Sequence, residues 1–276
     1  MRKLQDRVAV VTGAGAGIGR AIALELARAG MHVVLADLDQ GKLIAVAGEV
    51  EALGRQAHTV VTDVRRLAAI EQLLNETVTR FGRCDVAVNN AGVFHANTLL
   101  GSSAEQWQRV VDTNLWGVVN GSRVFGAYLA KQGEGHIVNT ASAAGLFPAV
   151  GMSSYSTTKY AIVGFTQQLR WELAADGVGV TLLCPGVVKT GIGLAQGVGL
   201  DATEVATMTE RSPGPDGLAR KTRRAIERNR PLVRYGADAY VYSVLRLLPQ
   251  WLIDPLGRFM ARTAQRFLRG ELRKPA

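Results

Sequence analysis

From Val8 to Leu183 the chain alternates short apolar runs with amphipathic stretches. Val8–Thr12, His32–Ala36, Gln56–Val61, Val86–Asn89, His136–Thr140 and Val178–Leu183 read as strands. Several are apolar at consecutive positions, which marks strands covered on both faces. Between them, apolar positions recur at helical spacing over Gly19–Ala29, Gln40–Leu53, Leu67–Arg80, Glu105–Lys131 and Tyr155–Ala175. Strand–helix alternation of this kind predicts a parallel sheet with helices on both faces. Right-handed crossovers then make it a doubly wound α/β domain of the Rossmann type.

Beyond Leu183 the pattern changes. Gly191, Gly193, Gly197 and Gly199 punctuate a segment that Pro213 and Pro215 close. Residues 190–215 read as a substrate lid or, equally by composition, as a plain surface loop. A helix resumes at Gly217–Arg228, Pro231–Tyr235 suits a seventh strand at a sheet edge, and helices follow over Ala237–Leu248 and Leu256–Arg269. The expected organisation is one domain over 1–276. It divides into a cofactor-binding and catalytic core over 1–190, the lid, and a helical C-terminal extension over 236–276.

Composition supports a globular fold with a sizeable core: 276 residues, 47% hydrophobic and 20% charged. The 31 glycines against 8 prolines suit many tight strand-to-helix turns. Cys84 and Cys184 are the only cysteines and lie in or beside apolar runs, so they read as buried reduced thiols. No metal site is expected. The residues from Met1 to Arg7 hold no apolar targeting segment, and no spanning helix is expected, so the expected location is the cytoplasm. The net charge of +9 is uneven. Residues 201–276 hold 15 Lys+Arg against 8 Asp+Glu, whereas residues 1–200 hold 17 against 15.

Two places carry candidate chemistry. The first is the run Thr12-Gly13-Ala14-Gly15-Ala16-Gly17-Ile18-Gly19, where the first strand meets the first helix. Glycines here let backbone amides approach a pyrophosphate that faces a helix N-terminus; a tight structural turn is the plainer alternative. Asp37, before Leu38, ends the second strand. A carboxylate there accepts hydrogen bonds from the adenosine ribose and repels a 2′-phosphate. No Lys or Arg stands at position 16 or 38 to offset such a phosphate, so NAD is expected over NADP. Helix capping is the other role open to Asp37, and it is equally open to Asp39.

The second place is Tyr155 with Lys159, four residues apart, and Ser142 thirteen residues before the tyrosine. Helical spacing puts Tyr155 and Lys159 on one face. An ammonium beside a phenol favours the phenolate, drawing its pKa toward neutrality, where it exchanges a proton with an alcohol or ketone. Ser142 follows a strand and is placed to hold the substrate oxygen.

Taken together these residues resemble the classical short-chain dehydrogenases/reductases, over about residues 5–190. The glycine turn has the family's Thr-Gly-x-x-x-Gly-x-Gly form. Asp63-Val64 is similar to the pair that meets the adenine ring, and Asn89-Asn90-Ala91-Gly92 to the loop after the fourth strand. Asn114, Ser142, Tyr155 and Lys159 match the catalytic set. Pro185-Gly186, with Val188 and Thr190, matches the segment that holds the nicotinamide carboxamide. The resemblance implies hydride transfer to or from a nicotinamide ring, with Tyr155 as general acid or base. Lys159 would bind the nicotinamide ribose, and Asn114, through its backbone carbonyl and a water, would link Lys159 to solvent. It also implies a homodimer or homotetramer packed through Glu105–Lys131 and Tyr155–Ala175.

The chain departs from that family after Tyr235. No Asp-Gly-Gly-like segment ends the sheet, and about forty residues follow, a loose likeness to members that act on hydrophobic alcohols and ketones. In the last helix Leu256, Phe259, Met260, Thr263 and Phe267 share one face, beside a stripe of Arg258, Arg262, Arg266, Arg269 and Arg273. The expected role is a terminal helix docked on the core or a sister subunit; peripheral contact with an anionic membrane is the alternative. Nucleic-acid binding is not expected, because no recognition motif accompanies the arginines.

The expected substrate is a small hydrophobic secondary alcohol or its ketone. Leu146, Phe147, Pro148, Val150 and Met152 lie between Ser142 and Tyr155, and the lid adds Ile192, Leu194, Val198 and Leu200. These residues either line the pocket or pack the loop internally. Reduction of a 3-oxoacyl thioester, or of another biosynthetic ketone, is the enzymatic alternative, and NAD(H) sensing without chemistry is the other. The intact Asn114–Ser142–Tyr155–Lys159 set argues against a sensor.

Overall fold

Val8–Thr12 (β1) shows how the sheet forms. In the computed structural model, which describes residues 3–190, 210 and 212–268, all five of its residues are buried. Ala9 and Val11 face one side, with Val33 and Leu35 of β2 (His32–Asp37), and meet α1 (Gly17–Arg28) and α2 (Gln40–Ala52). Val8 and Val10 face the other, with Val34 and Ala36, and meet α3 (Leu67–Phe81) and Phe125. Successive side chains of a strand point to opposite faces, so a strand between two helical layers has to be apolar throughout.

The remaining strands are β3 (Ala57–Val61), β4 (Val86–Asn89), β5 (Gly135–Thr140), β6 (Val178–Pro185) and β7 (Leu232–Tyr235). All seven are parallel, in the order β3-β2-β1-β4-β5-β6-β7. The expected doubly wound sheet is therefore present, with its seventh strand at an edge. The order reverses between β1 and β4, and ligands of such sheets bind at the carboxyl ends of the strands flanking that point.

The expected helix over Glu105–Lys131 is not continuous. α4 (Ala104–Val110) and α5 (Gly117–Gln132) are separated by a π-helical turn over Val111–Trp116, in which Gly117 N donates to Asp112 O. Such widened turns concentrate at functional sites, and this one carries Asn114. α6 (Ser153–Glu172) follows β5 and a 3₁₀ turn at Ala143–Gly145, and α7 (Pro215–Glu227) packs beside α1. α8 (Ala237–Leu245) and α9 (Gln250–Leu268) close the chain. α9 begins before the expected Leu256 and carries Pro255 within it. No helix among the described residues is long and apolar enough to cross a membrane.

Candidate active site

The turn from β1 into α1 is shaped by what its neighbours demand. Gly13 has φ of 64°, a left-handed backbone that L side chains avoid, and a Cβ there would stand 2.9 Å from Ala91 Cα. Ala16 caps α1 without any side-chain hydrogen bond, and no acidic residue lies in the first turn. By contrast Asp39 Oδ1 caps α2 by accepting from Lys42 N at 3.1 Å, and Ser103 and Gln106 form a capping box on α4. The N-terminus of α1 thus carries no side-chain cap and could hold an anion, with half-buried Ile18 and buried Gly19 behind it and Thr190 packed against Gly17. Leu38, by comparison, is exposed at the end of β2.

Asp39 takes the capping role, and Asp37 turns toward the glycines. Its Oδ2 accepts from Gly15 N at 3.0 Å and its Oδ1 from Leu38 N at 2.8 Å. A cation does lie nearby, at position 42. Lys42 packs its stem against Gly15 and pairs its ammonium with Asp39 Oδ2 at 3.0 Å. Asp63 is gripped by Arg65, whose Nη2 lies 2.7 Å from Oδ2, and this pairing holds its carboxyl below the usual range. Val64 is buried, and its carbonyl accepts from Asn120 Nδ2 at 3.2 Å.

Thr12, the first residue of the glycine motif, joins the two strands at the reversal. Its hydroxyl accepts from Asn90 N at 2.9 Å and Ala91 N at 3.1 Å, and donates to Val88 O at 3.2 Å. Asn90 Nδ2 returns a bond to Thr12 O at 3.1 Å.

Asn114 clamps the loop after β4. Its Oδ1 accepts from Val93 N at 2.7 Å, and its Nδ2 donates to Val93 O at 2.9 Å. Gly92 lies between Asn114 and Lys159: a Cβ there would stand 3.1 Å from Asn114 Oδ1 and 3.7 Å from Lys159 Nζ. Lys159 is buried, donates to Thr140 O at 3.1 Å, and holds its ammonium 5.5 Å from the centre of the Tyr155 ring. Ser142 begins the 3₁₀ turn, accepting from Ala144 N at 3.2 Å and donating to Pro185 O at 3.4 Å. Four separated stretches of sequence therefore meet at one end of the sheet.

The electrostatics differ from expectation. Burial pushes the Tyr155 phenol above its ordinary pKa, with a Ser142 hydrogen bond acting the other way. Burial also pushes Lys159 down to about 8. In the chain by itself, desolvation of the phenolate outweighs the Ser142 hydrogen bond. At neutral pH Tyr155 therefore carries its proton, and Lys159 is mostly charged.

Two of the expected pocket residues are corrections. Leu146 is buried in the core among Val118, Ile162, Val163, Leu182 and Cys184, and Phe147 is buried against Tyr242, ring centres 5.5 Å apart. Both pack the loop internally. Met152 stays partly exposed, and Ile192 lies outside the described residues. The aromatic that does meet Tyr155 is Phe94, edge-on at 5.1 Å. An apolar residue following the Asn-Asn-Ala-Gly loop was the only signal for it. Pro185 and Val188 are buried at the end of β6, and Cys84 and Cys184 are both buried free thiols.

A glycine turn at a helix N-terminus, across the reversal point from a tyrosine–lysine pair, defines a nucleotide-dependent enzyme of the Rossmann class. The family model for short chain dehydrogenase matches residues 7–197, and the chain belongs to that family of nicotinamide-dependent oxidoreductases. A probable oxidoreductase EphD of Mycobacterium tuberculosis is 39% identical over 260 residues, covering 90% of this chain and 44% of that protein. The chain thus spans under half the length of that relative. A short-chain dehydrogenase/reductase from Burkholderia phymatum, solved with NAD, is 36% identical with a TM-score of 0.77, covering 85% of this chain and 90% of that one. A 3-ketoacyl-(acyl-carrier-protein) reductase from Brucella melitensis, solved with NADH, is 26% identical with a TM-score of 0.77, covering 86% and 100%.

Proposed function

We propose that the chain interconverts a hydrophobic secondary alcohol and its ketone, with NAD as cofactor and Tyr155 as general acid–base. The observation that carries this reading is the meeting of Ser142, Tyr155, Lys159 and Asn114 beside a helix N-terminus left uncapped for a dinucleotide. The residues fit that group: α1 offers free amides, Asp37 faces the glycine turn, and Thr190 faces it from the other side. When bound, the cofactor supplies the hydride chemistry. The chain's own part is to move a proton at the Tyr155 hydroxyl and hold the substrate oxygen at Ser142. Asn114 and Lys159 keep the loop and the ammonium in place. The protonated phenol suits ketone reduction at neutral pH; alcohol oxidation needs the phenolate and speeds up as pH rises.

Phe94 and Met152 supply the apolar wall, and Asp37 supports NAD over NADP. The likeness to the Brucella reductase favours a 3-oxoacyl thioester as the second substrate class. Trp116 and Trp171 are exposed on the α4–α5 and α6 stretches, which supports assembly through these helices.

Absorbance at 340 nm, with apolar alcohols and ketones offered with NAD(H) and NADP(H), tests the reading. Tyr155→Phe is expected to keep NADH binding and lose about 10²–10⁴-fold in turnover. Near-normal turnover in a folded Tyr155→Phe protein removes the assignment, and turnover only with NADP(H) removes the Asp37 argument.

A further inference from the structure

We infer that Asp238, in the first turn of α8, is a positioning residue that fixes the Pro185–Val187 segment beside the active site. The inference rests on the NAD-dependent reading, in which that segment holds the nicotinamide end of the cofactor. Asp238 Oδ2 accepts a hydrogen bond from Val187 N at 2.9 Å. Its Oδ1 occupies the place that a Cβ on Gly186 would take. Glycine at 186 is therefore needed to seat a carboxylate from the C-terminal extension, whatever the cofactor requires of it. Gly236, with φ of 92°, supplies the reversal from β7 into α8, and a Cβ there would also stand 2.6 Å from Asp238 Oδ1.

The segment is held from both sides. Gly186 N donates to Tyr235 O at 2.8 Å, extending the β6–β7 pairing, and Ser142 Oγ donates to Pro185 O at 3.4 Å. Four residues after Asp238, on the same face of α8, Tyr242 packs on Phe147. Phe147 stands just past the 3₁₀ turn that Ser142 begins. One face of α8 thus braces both segments that flank Ser142: Asp238 holds the end of β6, and Tyr242 holds the turn. Two residues after Val187, Lys189 N donates to Pro213 O at 3.1 Å.

The test compares Asp238→Ala, Asp238→Asn, Gly186→Ala and the Gly186→Ala/Asp238→Ala pair in the full chain. NADH affinity is read by fluorescence, kcat and KM by assay, and folding by thermal unfolding. Asp238→Ala is expected to weaken NADH binding about ten- to hundred-fold, the range for losing a hydrogen bond to a charged group. Asp238→Asn keeps an acceptor for Val187 N and is expected to recover most of that loss. Gly186→Ala alone drives a methyl into the carboxylate, so adding Asp238→Ala is expected to improve its NADH affinity. Wild-type affinity in folded Asp238→Ala overturns the inference, as does equal damage from Asn and Ala, or a double variant as weak as the product of the singles. Those results leave the parent reading intact. A wild-type chain that binds no NADH removes both, whereas one that binds NADH but turns over no alcohol or ketone removes only the parent reading.

Discussion

Leu35, in the middle of β2, is completely buried, whereas Leu247, between α8 and α9, is 82% exposed. The same side chain serves two regions built differently. Around β1–β6 the apolar residues fill both faces of the sheet, and the polar ones are interlocked. Asn89 Nδ2 donates to Asn139 Oδ1 at 2.9 Å and to Ser122 Oγ at 3.2 Å, and Asn139 Nδ2 donates to Thr166 Oγ1 at 3.2 Å. This network sits directly beneath Asn90 and Thr140, so the groups that stabilise the fold also place the site. After β7, Ala239 is buried and Asp238 and Tyr242 reach inward, while Val241, Val244, Leu247 and Trp251 face outward. Pre-organisation of the site thus comes from the first region and a narrow bracket from the second.

The largest expected effect breaks the first region. Leu35→Ala empties a fully buried position between α1, α2 and the sheet, and is expected to cost about 2–5 kcal/mol in denaturant unfolding. A loss below about 1 kcal/mol at Leu35 would mean that the two regions are less different than their burial suggests.

The same contrast explains what could be read beforehand. Strands buried on both faces appear in sequence as apolar runs, so β1, β2 and β4 were legible almost to the residue, and β5 and β6, whose runs polar residues interrupt, to within two. So was the meeting of Ser142, Tyr155 and Lys159, because the motif spacing and the fold agree. The π turn at Val111–Trp116 was not legible: one extra residue per turn shifts the apolar stripe without breaking it. Leu146 and Phe147 were legible as apolar, but composition does not say whether a loop residue points into a pocket or into the core. The cation at Lys42 was not legible, because its approach to Gly15 depends on how α2 leaves β2. Asp238 lay furthest from view. It is far from Gly186 in sequence, belongs to no motif, and gains its meaning only from the β6–β7 pairing.

A middle-sized effect sharpens the comparison through pH. Lys159 has its folded pKa lowered to about 8, against an ordinary 10.5. Below about pH 8 both states carry the proton, and the folded state bears the full cost of a buried ammonium. Between pH 8 and 10.5 the unfolded chain holds more protons, so this group makes stability rise with pH, by at most about 1.4 kcal/mol per pH unit. The difference in stability between wild type and Lys159→Met, followed by thermal unfolding from pH 7 to 10, is expected to shift in favour of wild type by that sign. A flat difference would mean that Lys159 is hydrated and ordinary.

The smallest expected effect lies in the C-terminal segment. Trp251 is 73% exposed and Leu247 more so, so neither Trp251→Ser nor Leu247→Ser removes much burial within the chain. Each is expected to change stability by less than about 0.5 kcal/mol at low protein concentration. Docking on the chain's own core, one of the roles expected for this end, does not cover these two residues. A sister subunit and an anionic membrane remain, and they predict different behaviour. A subunit on this face makes the unfolding midpoint rise with protein concentration, and both variants abolish that rise. Yet residues 236–276 hold seven Lys+Arg against three Asp+Glu, and a two-fold contact on this face sets like charges together. A membrane instead draws the full chain onto anionic vesicles at low salt, and the variants release it with their stability unchanged. Light scattering across a dilution series, beside vesicle co-sedimentation of the same three proteins, separates the two outcomes.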